Sequence, residues 1–341
     1  MSTTSPQSTA PVGPPTENAR RGPTFGEKFL QVAPSYALIV AFAIIIAVFG
    51  IMRPESFLTV DNLKSILTQA APLMIVSIGV TIVLTMQVFD LSFGAVIGFA
   101  GALAIVLMAQ EGVGWGLAII IALAAACACG VLNGFLVAYL GGSSFIITLA
   151  TGTVFTGLEF AVTNQQTIIG GVPLKYGEIA TSQSLFGLTN EVYIAAVVAI
   201  LGWLLLSQTE VGRYMYAIGG NPEAARLSGI RTRELKVLGF VLVALGAGIC
   251  GILLTSAASS SSPQMGAPYL LPGFAAAFLG SAVFKLGVFN VPGTVVGVLF
   301  LGVIQTGLTM LNLTTDVINI VQGSILAIAV LMSRIGARSS E

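Results

Sequence analysis

The sequence predicts an all-α, polytopic membrane protein of about ten spans, some of them broken or re-entrant. Hydrophobic residues fill 55% of the 341 positions and charged residues only 8%, against the quarter usual for a soluble domain. Mean hydropathy is +0.96. Ten apolar runs come close to the ~20 residues that a bilayer-crossing helix needs.

In chain order, Met1 to about Phe25 is rich in Ser, Thr and Pro and has no apolar run. It reads as a disordered cytoplasmic tail, bounded at about residue 28, and not as a signal peptide, which needs an apolar core behind a charged start. The membrane domain follows over 29–335, with candidate spans near 34–52, 64–85, 90–110, 114–139, 145–163, 191–207, 236–256, 270–284, 291–311 and 317–333. The second contains Pro72 and the eighth is short with Pro272 near its start, so either could be interrupted where protein or water covers the freed backbone groups. Residues 336–341 form a short cytoplasmic tail. Gly94-x3-Gly98-x2-Gly101, Gly130-x3-Gly134 and Gly293-x3-Gly297 mark helix faces that approach a neighbour closely, and the last two patterns echo one another as a faint internal repeat.

Orientation follows from Lys and Arg. With the N-terminus inside, the inner side receives Arg20, Arg21, Lys28, Arg213, Arg226, Arg231, Arg233, Lys236, Lys285, Arg334 and Arg338; the outer side receives Arg53, Lys64 and Lys175. Eleven against three is a strong positive-inside bias and places both termini in the cytoplasm. Trp115 and Tyr193 then fall at the outer interface, and Trp203, Tyr214 and Tyr216 at the inner one.

The least apolar stretch is 208–236, QTEVGRYMYAIGGNPEAARLSGIRTRELK, which holds eight of the 28 charged side chains. A short helix is readable inside it. Asn221 is a good N-cap, Pro222 suits the first helical position, Glu223 favours the positive end of the helix dipole, and Gly229 supplies a left-handed stop. A solvated connecting loop would not need this conjunction of cap, stop and small residues at Ala224, Ala225 and Ser228; a docking element would.

Chemistry of other kinds finds little support. Histidine is absent, which removes His-based triads and the commonest metal ligand. Cys127, Cys129 and Cys250 all lie in apolar runs, as small packing residues do. No GxxxxGK followed by Ser or Thr occurs, so ATP has no phosphate-cradling loop here, and no GxSxG elbow or paired carboxylates mark an enzyme. Zero net charge and the lack of a basic, aromatic-interleaved patch argue against nucleic acid.

YAIGGNPEAARLSGI resembles the cytoplasmic loop of the permease subunits of ribose, xylose, arabinose and galactoside ATP-binding-cassette importers. Glu223-Ala224-Ala225 with Gly229 matches their EAA-three-residues-Gly signature. DLSFGAVIGFAG (from Asp90), GVLNGFLVAYL (from Gly130) and SSFIITLATG (from Ser143) are similar to further stretches of the family, so that the likeness covers nearly all of 35–335. Departures occur at Ser143 and Ser144, Thr156, Pro272 and the turn Gly280–Gly287. The resemblance implies a transport subunit, not an enzyme, in a bacterial inner membrane, with no cofactor of its own. ATP would be bound by a partner ATPase. A second permease copy or paralogue and an extracytoplasmic solute-binding protein would complete the assembly. It also implies that Gly219, Gly220, Asn221, Pro222, Glu223, Ala224, Ala225, Arg226, Leu227, Ser228 and Gly229 form the ATPase-coupling element.

Polar residues inside spans are costly in hydrocarbon and each needs a reason. Asp90 reads either as an N-cap of the third span at the inner interface or as a pathway residue. Asn133 suits interhelical hydrogen bonding, and Glu159 and Asn164-Gln165-Gln166 read as wet positions near the outside. Asn133, Thr148, Thr151, Gln305 and Asn312 are the candidates for lining a route for a hydroxylated solute, although each Thr could equally bond its own helix. A monosaccharide is the expected solute; a signalling furanose or a nucleoside would fit a similar pattern. An ion-coupled secondary transporter would use intramembrane acidic groups, and Asp90, Glu159, Glu191 and Asp316 all fall near predicted span ends.

Overall fold

The computed structural model describes residues 25–338. Most of the expected N-terminal tail and the last three residues lie outside that range. Phe25–Lys28 are already helical, and α13 runs through 336–338, so helix extends into both expected tails.

Thirteen α-helices occur among the described residues: α1 Phe25–Met52, α2 Val60–Thr85, α3 Phe93–Ala109, α4 Trp115–Ala138, α5 Ser144–Thr163, α6 Leu174–Thr181, α7 Asn190–Gln208, α8 Glu210–Gly220, α9 Pro222–Leu227, α10 Thr232–Ala258, α11 Leu270–Ser281, α12 Val291–Met310 and α13 Thr315–Arg338. Ten of these coincide with the ten apolar runs. Two-residue strands β1 Ile168–Ile169 and β2 Ser260–Ser261 pair antiparallel at one end of the bundle. Among the described residues six helices are long and apolar enough to cross a bilayer. Pro72 does not interrupt α2, which is continuous through it. The eighth run is genuinely short: α11 has 12 residues, about 18 Å at 1.5 Å per residue, well under the ~30 Å hydrocarbon thickness.

α2, α3 and α10 form the centre. A β-carbon at Gly134 would sit 2.7 Å from Val237 Cα, and one at Gly130 would sit 2.7 Å from the Phe240 carbonyl oxygen. Glycine at both sites is what lets α4 lie directly on α10. α4, α5 and α7 turn Leu117, Ile120, Leu132, Ile146, Leu149, Val197 and Ile200 outward, an apolar exterior suited to lipid.

Two irregular segments run beside α3, Met86–Ser92 before it and Ser259–Tyr269 after α10. In a bilayer their backbone groups need internal partners, and the first segment has them. Phe89 N donates to Ser144 Oγ at 3.1 Å, Leu91 N to Thr148 Oγ1 at 2.9 Å, and Ser92 N to Asp90 Oδ1 at 2.8 Å. The second segment is tied to β1 through β2 and to α5 through Gln264 N, which donates to Glu159 Oε1 at 2.8 Å.

Candidate functional site

The charged stretch folds as two helices. Thr209 caps α8, its Oγ1 accepting from Gly212 N at 3.1 Å, and Gly212, Met215 and Ile218 at helical spacing bury one face. Asn221 ends α8 and starts α9. Its Oδ1 accepts from Glu223 N at 3.1 Å and Ala224 N at 3.0 Å, with Pro222 at the first helical position. At the other end Gly229 has φ 84°, and the amides of Gly229 and Ile230 donate to the carbonyls of Arg226 and Ala225 at 3.0 and 3.1 Å. This back-bonded glycine closes α9 and turns the chain into α10.

α9 has two unlike faces. Ala225 is 5% exposed and belongs to the main core, whereas Ala224 and Ser228 face outward. The small residues therefore do not share one face. The outward surface also carries Leu227, 77% exposed, and the pair Glu223–Arg226 at 2.6 Å. The hydrogen bond from Arg226 to Glu223 raises the guanidinium pKa further. Gly219 packs on the Thr85 carbonyl at the end of α2, leaving no room for a side chain. The α8–α9 element is thus seated on the α2 terminus and presents α9 outward.

Asn133, Thr148 and Thr151 come together around the Met86–Ser92 segment. Asn133 Nδ2 donates to Ser92 Oγ at 2.7 Å, Thr151 Oγ1 donates to Asn133 Oδ1 at 2.6 Å, and Ser92 Oγ donates to Asp90 Oδ1 at 2.6 Å. All are buried, and none lines the cavity described next. They serve as struts joining α4, α5 and the approach to α3. Asp90 is not the N-cap: α3 begins at Phe93 after Ser92, and Asp90, itself buried, folds back on Ser92. Glu159 is likewise not wet. It is 1% exposed, its carboxylate filling the space beside Gly98 Cα, because the Ser259–Tyr269 segment dips in to cover it. Asn164, Gln165 and Gln166 are exposed as expected.

A cavity of about 600 Å³ lies at the opposite end from α9. Thr68 and Gln69 of α2, Gln305 of α12 and Thr315, Asn319 and Gln322 of α13 supply its polar wall, with Tyr269 and Glu191 beside them. Gln322 Nε2 donates to Gln305 Oε1 at 2.5 Å across the α12–α13 gap. Of the sequence-derived candidates only Gln305 lines this space. Asn312 forms the α12–α13 turn with φ 57° and faces outward. The volume suits a small solute, since ligand sites run to about 300–1,000 Å³.

Residues 62–330 match the model of a family described as branched-chain amino acid transport system / permease component. The chain belongs to this permease family. The permease is 35% identical to the ribose import permease protein of Bacillus subtilis over 292 residues, 85% of this chain and 90% of that one. It is 33% identical to the L-arabinose transport system permease protein of Escherichia coli K12 over 307 residues, 90% and 92% of the two chains. With the D-allose transport system permease protein of the same organism it shares 29% over 300 residues, 88% and 91%. No solved structure matches. The resemblance read from the 219–229 stretch and over nearly all of 35–335 is thus borne out. Membership makes this a multi-pass transport component and not an enzyme, and in such transporters ATP is bound by a partner ATPase.

Sequence reasoning missed α8 and the cavity in the permease. Thr209 with Gly212, Met215 and Ile218 was a readable signal for α8, a cap followed by a buried face at i, i+3 spacing. The cavity had a partial one, Thr315, Asn319 and Gln322 at i, i+4 and i+7 on α13, but the rest of its polar wall comes from α2, α7 and α12, which nothing in the sequence links to that face.

Proposed function

We propose that this permease is the membrane subunit of an ATP-driven monosaccharide importer in a bacterial inner membrane, admitting the sugar through the α2–α12–α13 cavity and coupled to a separate ATPase through α9. One observation carries this reading: α2 joins the two sites. Its first turns bring Thr68 and Gln69 to the cavity, and its last residue, Thr85, bears on Gly219 of the α8–α9 element. A displacement of α9 by nucleotide-driven closure of the ATPase would be passed along a buried, continuous helix to the cavity wall.

The charge distribution supports the orientation. Arg213, Arg226, Arg231, Arg233 and Lys236 lie on or next to α8–α9. Lys285 is in the α11–α12 connection, whose Phe289 carbonyl accepts from Tyr216 of α8 at 2.7 Å. Arg53, Lys64 and Lys175 lie toward the cavity end. The positive-inside rule then puts α9 in the cytoplasm and the cavity outside. The sugar class rests on the ribose, arabinose and allose permeases it resembles, and the uncharged amides and hydroxyls of the cavity suit hydroxylated solutes. A second permease and an extracytoplasmic binding protein that delivers the sugar complete the assembly. Alternating access requires that the two conformations bind the ATPase differently, through α9.

Glu223→Lys tests the coupling. It opposes the α9 dipole and reverses the outward charge. The variant should express and elute like the parent while losing ATPase co-purification and pentose uptake. Uptake at the parental rate with the ATPase still bound would sink the proposal.

A further inference from the structure

The cavity wall is uncharged apart from Glu191. This residue opens α7, is 6% exposed, and lines the cavity beside Thr68 and Tyr269. Its position invites a bland explanation, a carboxylate placed at the favourable end of a helix dipole. The dipole favours the charge there but leaves the carboxylate oxygens without partners. Glu191 takes no bond from an α7 amide among those described, and its contact from Thr189 Oγ1 is a long 3.5 Å. Thr189 instead pairs with Thr68 at 3.0 Å. Among the described residues the ion pairs are Glu210–Arg213 and Glu223–Arg226, both at the other end of the molecule, and Lys64, one turn before Thr68, forms none with Glu191. A residue more than nine-tenths buried therefore turns its carboxylate to a polar cavity with nearly all of its acceptor capacity unused.

We infer that Glu191 is the selectivity residue of the cavity, accepting hydrogen bonds from the hydroxyls of a neutral, hydroxyl-rich solute and repelling anionic ones such as sugar phosphates and sugar acids. This rests on the reading of the cavity as the outward solute route. A charged acceptor binds hydroxyl donors about twice as strongly as a neutral one, which suits a solute that presents several donors at once. The same charge acts at a distance on anything entering. A unit charge about 8 Å away, at an effective dielectric of about 30, shifts the local free energy of an ion by roughly 1.4 kcal/mol, or about tenfold in concentration.

The test reads the field directly in intact cells. In a chain with Cys127, Cys129 and Cys250 changed to Ala, Gln305→Cys reports the cavity and Gln166→Cys an exposed site at the same end. Each is reacted at about pH 8.5, where a carboxyl in a buried setting is still ionised, with a cationic and with an anionic membrane-impermeant methanethiosulfonate. The cationic-to-anionic rate ratio at Gln305→Cys should exceed that at Gln166→Cys by about a hundredfold, roughly tenfold from enrichment of the cation and tenfold from depletion of the anion. Glu191→Gln should abolish the excess and Glu191→Asp retain it, the latter showing that loss of charge and not of folding is responsible. A neutral pentose should slow modification of Gln305→Cys while its phosphate ester should not, unless Glu191→Gln is present. Equal ratios at the two cysteines, an excess that survives Glu191→Gln, or equal protection by pentose and pentose phosphate would overturn the role of Glu191 and leave the cavity as a route. Failure of Gln305→Cys to react at all, with Gln166→Cys reacting, would overturn the outward cavity itself.

Discussion

Asn133 joins α4 to two other parts of the bundle, donating to Ser92 and accepting from Thr151. Leucine there would keep the volume but leave Ser92 and Thr151 without those partners, and through Ser92 would loosen the buried Asp90 turn. Each buried polar group so orphaned costs about 1–3 kcal/mol. Asn133→Leu should therefore lower the unfolding temperature of the detergent-solubilised permease, measured by loss of the monodisperse elution peak on heating. Gln305→Leu, at the open cavity wall, should leave that temperature unchanged and reduce uptake. An Asn133→Leu protein as heat-stable as the parent would remove the strut role. At α9 the two ends differ in sensitivity. Asn221→Ala loses a cap worth about 1 kcal/mol. Gly229→Val places a β-branched side chain at φ 84°, where it is a genuine outlier. Tryptic cleavage at Arg226 and Arg231 in inside-out vesicles should quicken slightly for the first variant and severalfold for the second. The same rate for both would mean that the glycine stop does not hold α9.

At the scale of elements, what sequence could reveal follows from how local each signal is. The ten apolar runs were all legible, because a helix in hydrocarbon must satisfy its own backbone and so needs an unbroken apolar stretch. The ends of α9 were legible because caps act within three or four residues. Which helices lie inside the bundle was not legible. α2 and α4 are similarly apolar, yet α2 is mostly buried and α4 mostly exposed. Lipid is as apolar as a protein core, so the exposed face of a membrane helix carries no polar stripe. The irregular Ser259–Tyr269 segment was hidden for a related reason: Glu159, which holds it, reads in sequence as a residue near a span end. α9 itself makes an orientation prediction. In the cysteine-free background, Ser228→Cys in intact cells should resist impermeant thiol reagents and react once vesicles are inverted, while Gln166→Cys should do the reverse. Labelling of Ser228→Cys from outside would place α9 away from any cytoplasmic ATPase.

For the whole molecule, the two ends of the bundle carry different chemistry. One end presents a capped, charged helix with an exposed Leu227; the other holds a polar cavity; α2 and α10 run between them. Arg233 stacks over the Tyr139 ring at 5.6 Å, so that α10 and the end of α4 are fastened together beside α9. In this family the nucleotide is bound by a partner ATPase. No Gly-rich loop ending in Lys and Ser or Thr is present to cradle phosphates, and His is absent from the chain. The purified permease in lipid nanodiscs should accordingly release no phosphate from ATP above the empty-disc rate. Adding the partner ATPase should create hydrolysis, and adding binding protein loaded with its sugar should raise it further, because loaded binding protein and closed ATPase favour conformations of the same body. Leu227→Glu, which places a charge at the most exposed apolar point of α9, should abolish that stimulation while sparing the basal hydrolysis of the free ATPase. Stimulation undiminished by Leu227→Glu would mean that the ATPase senses the permease through a surface other than α9, and phosphate release by the permease alone would contradict its assignment as a purely transporting subunit.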